Sequence, residues 1–191
     1  MLPERVHTLT VNASHDSRQG VTGIGIVIQE RQGAGRRGPI VALVSESRRD
    51  APPSAAEAFA ILRAFELALA RGYSHVKVRS DYNHERKQLR TKHRDGASAP
   101  DPVRARVLEL ARQFTWVQFG FVARRKNQLA RKLAREARLA AAIPAAGSAG
   151  GREHAAIFGS PSSSEADRLI GDWFAGDAFS DDDLDEEEVP F

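Results

Sequence analysis

The chain has 191 residues, 41% of them hydrophobic, which is enough for one ordinary domain with an appendage. It contains no cysteine, so disulfides, thiolate metal sites and cysteine nucleophiles are excluded. No segment approaches the roughly 18 apolar residues of a membrane span, and the first residues lack the apolar core of a secretory signal. We therefore expect a cytoplasmic protein, compatible with nucleoid association and without a membrane partner.

The net charge of +3 conceals two opposed halves. Residues 1–140 hold 26 Lys and Arg against 13 Asp and Glu, whereas residues 141–191 hold 2 against 12. A basic body suits polyanions, and an acidic remainder suits basic proteins.

The first part of the chain reads as three strands with turn-like connections. VHTLTV alternates, IGIVIQ and IVALVS are apolar runs, and ERQGAGRRGP between the last two has the composition of a hairpin loop. Consecutive strands of this kind form an antiparallel meander. The predicted strands are Val6–Val11, Ile24–Gln29 and Ile40–Ser45.

The period then changes to that of a helix. Ser54 is the predicted N-cap, Glu57 occupies the capping-box position, and Gly72 closes the helix. Glu57 thus has a purely structural role available, accepting the Ser54 amide. The elements predicted after this helix are a strand at His75–Ser80, a short helix at Asn83–Arg90, a helix at Val103–Gln113, a strand at Trp116–Val122 and a helix at Arg125–Ala142.

This order predicts an α/β fold with a five-stranded mixed sheet, three antiparallel strands followed by two more, and flanking helices. Residues 1–142 form the predicted domain. Residues 143–164 are rich in Ala, Gly and Ser and read as a flexible linker. Residues 165–191 hold a short amphipathic segment and an acidic end, which we expect to be a disordered tail.

Four positions converge on one edge of this sheet. Asn12 follows the first strand, Glu57 lies in the first turn of the first helix, Asp81 follows the fourth strand, and Arg131 lies in the first turns of the last helix. Sheet ends and helix starts that meet in this way are where α/β proteins build sites.

Around these positions the sequence resembles the type 1 ribonuclease H family. The matching pieces are VNASHDSRQGVTGIGIVI, SAAEAFAILRAFELAL, VRSDYNHERKQL and VARRKNQLARKLAREA, and the resemblance spans about residues 5–142. It implies a ribonuclease H-like fold and, for a typical member, cleavage of the RNA strand of RNA–DNA hybrids with two divalent metals held by four carboxylates.

The replaced acids argue against ordinary cleavage. Two metal ions about 4 Å apart need ligand charge to offset them, yet Glu57, Asp81 and Arg131 together carry −1. At an effective dielectric constant of about 20, a pair of unit charges at about 4 Å interacts by roughly 4 kcal/mol. Rescue by Asp16 or Glu136 and a single weakly bound Mg²⁺ or Mn²⁺ on Glu57 and Asp81 stay open.

The basic residues around the last helix predict a nucleic-acid surface, although a charged helix face can also be simply solvated. Arg131 could likewise be a solvent-facing residue or a bidentate phosphate ligand that replaces part of the metal's task. The predicted nucleic-acid contacts are Asn12, Arg124, Arg125, Lys126, Asn127, Arg131, Lys132 and Arg135.

The end of the sequence, SDDDLDEEEVPF, resembles the acidic tip of bacterial single-stranded DNA-binding proteins. Such a tip places a Phe ring in an apolar pocket while its acids attract basic surroundings. The alternative is a solubilising tail that shields the basic body in cis. The predicted partner-binding residues are Glu186, Glu187, Glu188, Val189, Pro190 and Phe191.

Three hypotheses follow. The first is a degenerate ribonuclease H-like protein that binds hybrid, other duplex or single-stranded nucleic acid and recruits repair or replication proteins through its tail. The second is an active Mg²⁺- or Mn²⁺-dependent ribonuclease H in which Glu57 and Asp81 are catalytic. The third is a protein-interaction scaffold, which the arginine density disfavours.

Overall fold

The computed structural model describes residues 5–32, 36–49, 51, 53–82, 102–142 and 155–158. The strands are β1 (Arg5–Asp16), β2 (Val21–Gln32), β3 (Arg36–Arg48), β4 (His75–Ser80), β5 (Trp116–Phe121) and β6 (Ala155–Phe158). The α-helices are α1 (Ala56–Ala70), α2 (Pro102–Ala111) and α3 (Gln128–Ala142), and short 3-10 helices occupy Pro53–Ala55 and Arg124–Lys126.

The strands form one mixed sheet in the order β5-β4-β1-β2-β3-β6. β1, β2 and β3 are antiparallel neighbours, whereas β4 is parallel to both β1 and β5. The predicted five-stranded mixed sheet, with three antiparallel strands and two more, is confirmed. Parallel pairing places the carboxyl ends of β1 and β4 at the same edge of the sheet.

A sixth strand lies within the predicted linker. Residues 155–158 pair antiparallel with β3, from Glu46 opposite Ala155 to Leu43 opposite Phe158. The linker prediction therefore does not hold for these four residues. The physical reason is that the outer edge of β3 offers unpaired backbone groups and AAIF is an apolar run able to pair with them.

The two faces of the sheet are covered by different helices. On one face, Leu9, Val11 and Ile26 pack with α1 and α2 in the main core, where the Phe65 ring lies 5.0 Å from that of Phe114. On the other face, Val27 packs against Leu133 of α3 in a smaller cluster. Because Ile26 and Val27 are adjacent, they point to opposite faces, as strand geometry requires.

Two glycines of β2 let α3 approach the sheet closely. A Cβ atom on Gly23 would overlap the backbone oxygen of Ala134, and one on Gly25 would overlap that of Ala130. The helix backbone therefore lies directly on the strand backbone, and this contact positions Arg131 at the sheet edge.

Several predicted boundaries require correction. β1 continues to Asp16, so Asn12 lies within the strand, opposite Gly25, rather than at its end. The N-cap of α1 is Ala55 instead of Ser54, and the side chain of this cap makes no hydrogen bond. Gly72 does close the helix with φ of 72°, and its amide donates to the Leu69 carbonyl.

The predicted short helix at residues 83–90 and the predicted tail at residues 165–191 fall outside the described residues. Within the described part of the chain, none of the helices has the length and apolar character needed to cross a bilayer.

Candidate functional site

Asp81 lies directly after β4, and its carboxylate is surrounded by nitrogen donors. Oδ1 accepts hydrogen bonds from the side-chain amides of Asn12 at 2.9 Å and Asn127 at 3.1 Å. Oδ2 lies 3.9 Å from Nε of Arg131. The structure thus brings together three of the four predicted positions, with a cation and two amides directed at one acid.

The other acid, Glu57, is held by a different set of donors. Its side chain is buried, and Oε2 accepts the backbone N–H of Ala13 at 2.9 Å. Oε1 accepts a 2.5 Å hydrogen bond from the hydroxyl of Ser80. The carboxylate therefore links α1 to β1 through Ala13 and to the end of β4 through Ser80. Two longer-range donors thus engage Glu57, and the interpretation that it caps its own helix at Ser54 stays a prediction.

Asn127 has a structural position that the sequence did not predict. It is only 1% exposed, and its amide nitrogen bonds both the Val11 carbonyl at 3.0 Å and Asp81. A side chain this deeply buried does not reach a bound polymer. The prediction that Asn127 contacts nucleic acid is therefore wrong, and the residue instead fastens the start of α3 to β1.

The ligand set does not fit the two-metal centre that the resemblance implies. Divalent Mg²⁺ selects oxygen ligands in near-octahedral geometry, whereas Asp81 receives N–H groups of Asn12 and Asn127 and the guanidinium of Arg131. Among the described residues, there is no group of three or more His, Asp or Glu side chains that could hold a metal ion.

The two substitute acids are engaged elsewhere. Asp16 accepts backbone N–H groups of the following turn through Oδ1, and its Oδ2 lies 3.3 Å from Nη1 of Arg138. Glu136 lies 3.8 Å from Nζ of Lys132. Glu136 nevertheless lines the same cleft as Arg131.

The site opens into a cleft of about 980 Å³, called the basic cleft below. Its charged lining has an excess of cations, which come mainly from α3. The residues that line it are Asn12, Ala13, Ser14, His15, Pro53, Ala56, Glu57, Asp81, Tyr82, Arg124, Gln128, Arg131, Lys132, Arg135, Glu136, Arg138 and Leu139.

Five of the predicted nucleic-acid contacts line this cleft: Asn12, Arg124, Arg131, Lys132 and Arg135. Arg125 and Lys126 are not among its lining residues. Tyr82 and His15 are lining residues that the sequence analysis did not select. Adjacency to Asp81 was the one available signal for Tyr82. The predicted partner-binding residues 186–191 lie outside the described part of the chain.

Comparison with known proteins supports the assignment of the fold. The sequence profile described as reverse transcriptase-like matches residues 10–137. No curated protein matches the sequence.

The solved structures that are similar include RNase H1 from the halophilic archaeon Halobacterium salinarum NRC-1, with 27% identity and a TM-score of 0.57 over 69% of this chain and 96% of that one. An N-terminal RNase H domain from Mycobacterium tuberculosis has 21% identity and a TM-score of 0.60 over 72% and 96% of the two chains. LC11-RNase H1, solved in complex with an RNA/DNA hybrid, has 21% identity and a TM-score of 0.59 over 72% and 99%.

Proposed function

Because this chain belongs to the reverse transcriptase-like family and has the fold of type 1 ribonuclease H, we propose that it binds nucleic acid in the basic cleft with lost or much weakened cleavage. The proposal rests on the environment of the Asp81 carboxylate. Its carboxylate is bonded by two side-chain amides and faces a guanidinium, in the place where the catalytic chemistry of the fold would need metal ions.

A metal ion on Oδ1 of Asp81 would compete with the two amide donors. A divalent cation on Asp81 would also lie close to the Arg131 guanidinium, whose Nε is 3.9 Å from the carboxylate. Like charges at such distances cost several kcal/mol at an effective dielectric constant of about 20. Glu57 would in addition have to share its oxygens between the metal and the donors Ala13 and Ser80.

Nucleic acid, in contrast, suits the charges that are present. Arg124, Arg131, Lys132, Arg135 and Arg138 all line the cleft. Guanidinium groups bind phosphate through paired hydrogen bonds, and they need no metal to do so. Binding to a polyanion through such contacts weakens steeply as salt is added.

The proposed function is tested with purified full-length protein and labelled RNA–DNA hybrid, double-stranded RNA and single-stranded DNA, each in EDTA and in Mn²⁺. At low salt we expect the protein to bind with the same affinity in EDTA and in Mn²⁺, and we expect no cleavage products in either. Arg135→Ala should weaken binding, whereas Arg112→Ala, an exposed arginine that does not line the cleft, should not.

The alternative function is a metal-dependent ribonuclease H that acts on RNA–DNA hybrids. It is supported by the presence of Glu57 and Asp81 in one cleft. Cleavage that requires Mn²⁺ and disappears in Asp81→Asn would establish this alternative and overturn the proposal. Absence of binding to every nucleic acid at low salt would favour the scaffold hypothesis.

The proposal extends to the acidic segment, defined as residues 181–191. It holds seven acids in residues 181–188, followed by Val189, Pro190 and Phe191. Its support is this composition, which suits a partner with an apolar pocket beside basic residues. In this role the segment tethers repair or replication proteins to a nucleic-acid-binding domain in the cytoplasm or at the nucleoid.

A further inference from the structure

Tyr82 gives the basic cleft an aromatic surface beside Asp81. The side chain is 50% exposed, although tyrosine usually buries much of its ring, and it lines the cleft. Its backbone N–H donates to the hydroxyl oxygen of Ser80 at 3.0 Å, and that hydroxyl donates to Glu57. The backbone that carries the ring is therefore fixed by the same buried carboxylate that joins α1 to the sheet.

A row of arginines runs along α3 on the other side of the cleft. The row consists of Arg131, Arg135 and Arg138, which share one helix face because they are four and three residues apart. Along the helix axis, Arg135 lies about 6 Å and Arg138 about 10 Å from Arg131. All three line the cleft. A single row of this kind is suited to follow one phosphate backbone.

The row is not uniformly available to a ligand. Arg138 is paired with Asp16 at 3.3 Å, and Arg131 faces Asp81 at 3.9 Å. Arg135 is exposed to solvent between them. We therefore expect Arg135 to contribute the most phosphate affinity of the three, because it loses the least internal interaction on binding.

From these observations we infer that the basic cleft binds single-stranded nucleic acid, with one base stacked on Tyr82 and the adjoining phosphates along the arginine row. A basic groove combined with an exposed aromatic ring is the arrangement that grips single strands. A duplex keeps its bases paired and stacked, so it would present sugar, phosphate and base edges to Tyr82 but no free base face. This inference rests on the proposed function and specifies single-stranded nucleic acid as the ligand.

The test compares oligothymidylate with an oligomer of the same length that carries abasic sites. Both present the same phosphates, but only the first has bases to stack. In EDTA and at fixed salt, Tyr82→Ala in the full chain should weaken binding to oligothymidylate by about 5- to 150-fold, the range that one base–aromatic stack provides. Affinity for the abasic oligomer should not change, and Tyr82→Phe should restore oligothymidylate binding.

Matched variants separate the outcomes. Phe121→Ala removes another exposed aromatic ring, 42% exposed and outside the cleft, and should have no effect on binding. If Arg135→Ala weakens binding while Tyr82→Ala does not, or if the RNA–DNA hybrid binds more tightly than the single strand, the inference is overturned and the proposed function stands. If no nucleic acid binds, both fail.

Discussion

At the scale of single residues, Asp81 is the group around which the charges of the site are arranged. One carboxylate receives two amide N–H groups and faces one guanidinium, and hydrogen bonds to a charged group are each worth about 1.5–3 kcal/mol. The amides of Asn12 and Asn127 stabilise the charged acid without adding charge. Arg131 supplies a positive charge that can attract phosphate while it remains near Asp81.

Restoring acids should recreate a metal site. In the double variant Asn12→Asp with Arg131→Asp, new carboxylates adjoin Asp81 and Glu57, and their repulsion should lower stability near neutral pH. Mn²⁺ should recover it, by about 2.7 kcal/mol at a concentration 100 times the Kd. Thermal unfolding with and without Mn²⁺ checks this, alongside calorimetric titration.

Asn12→Asp alone is the control, because it leaves Arg131 in place. The wild-type protein and this single variant should show little or no stabilisation by Mn²⁺. If the double variant also gains none, then the placement of the quartet at these four positions is wrong.

At the opposite end of β1, the His7 ring stacks on Tyr73 with centroids 3.6 Å apart and planes 5° from parallel. Burial lowers the pKa of His7 below its usual value, Glu30 opposes this shift, and Arg5 adds to it. As the pH falls below about 6.5, the unfolded chain takes up the proton first. Stability from neutral His7 is therefore complete above that pH and declines below it.

His7→Phe should keep the stack and remove this decline. The measurement is the urea midpoint at pH values on either side of about 6.5, compared between the wild-type protein and the variant. Tyr73→Phe, which preserves the ring contact and His7, should retain the decline. Equal acid sensitivity in the His7→Phe and wild-type proteins would contradict the role of this histidine.

Four positions of the site were named from the sequence, whereas Tyr82, His15 and the contacts between the side chains were not. The resemblance placed Asn12, Glu57, Asp81 and Arg131 at one edge of the sheet, and all four line the basic cleft. The bond from Asn127 joins residues 46 positions apart and depends on how α3 lies on the sheet. Sequence spacing carries no such information. For Glu57, the local capping rule did not indicate the hydrogen bonds that Ala13 and Ser80 donate to it.

At the scale of elements, the hydrophobic pattern located the strands but not their full length. β4 has the predicted bounds, while β1 extends through polar residues to Asp16 because its hairpin partner continues opposite it. Pairing of backbone groups does not require apolar side chains, so composition underestimates such strands. β6 escaped prediction because its four residues lie within a stretch of linker composition.

The contact of α3 with β2 should tolerate no side chain at Gly25. Gly25→Ala places a Cβ where the backbone oxygen of Ala130 lies, and neither backbone can move alone. We expect a loss of about 1–3 kcal/mol or more in the free energy of unfolding, measured by urea denaturation. Displacement of α3 should also weaken nucleic-acid binding.

Gly120→Ala is the matched control in the same sheet. Its Cβ would meet Cε of Lys77 at 3.3 Å, the far part of a flexible side chain. This variant should lose much less stability than Gly25→Ala. Equal losses at the two positions would show that general strand effects of alanine, rather than the approach of α3, set the cost.

At the scale of the whole molecule, opposite charges are separated along the chain. Residues 1–140 hold 26 basic and 13 acidic residues, whereas residues 141–191 hold 2 basic and 12 acidic residues. An acidic segment on the same chain raises the local concentration of negative charge around a basic cleft. We therefore expect this segment to compete with nucleic acid for the cleft through charge alone.

The acidic segment should show two separable effects. Replacing its seven acids with the corresponding amides should tighten binding of oligothymidylate to the full chain, most strongly at low salt, where the Debye length reaches about 30 Å. Deleting Pro190 and Phe191 leaves those charges in place, so affinity for oligothymidylate should not change. Capture of proteins that recognise the tip of bacterial single-stranded DNA-binding proteins should nevertheless be lost.

Fluorescence anisotropy across a salt series measures the first effect, and a binding assay with such a protein measures the second. Retained capture after the deletion would leave charge as the segment's sole means of recognition, and unchanged affinity of the amide variant at every salt concentration would exclude competition in cis.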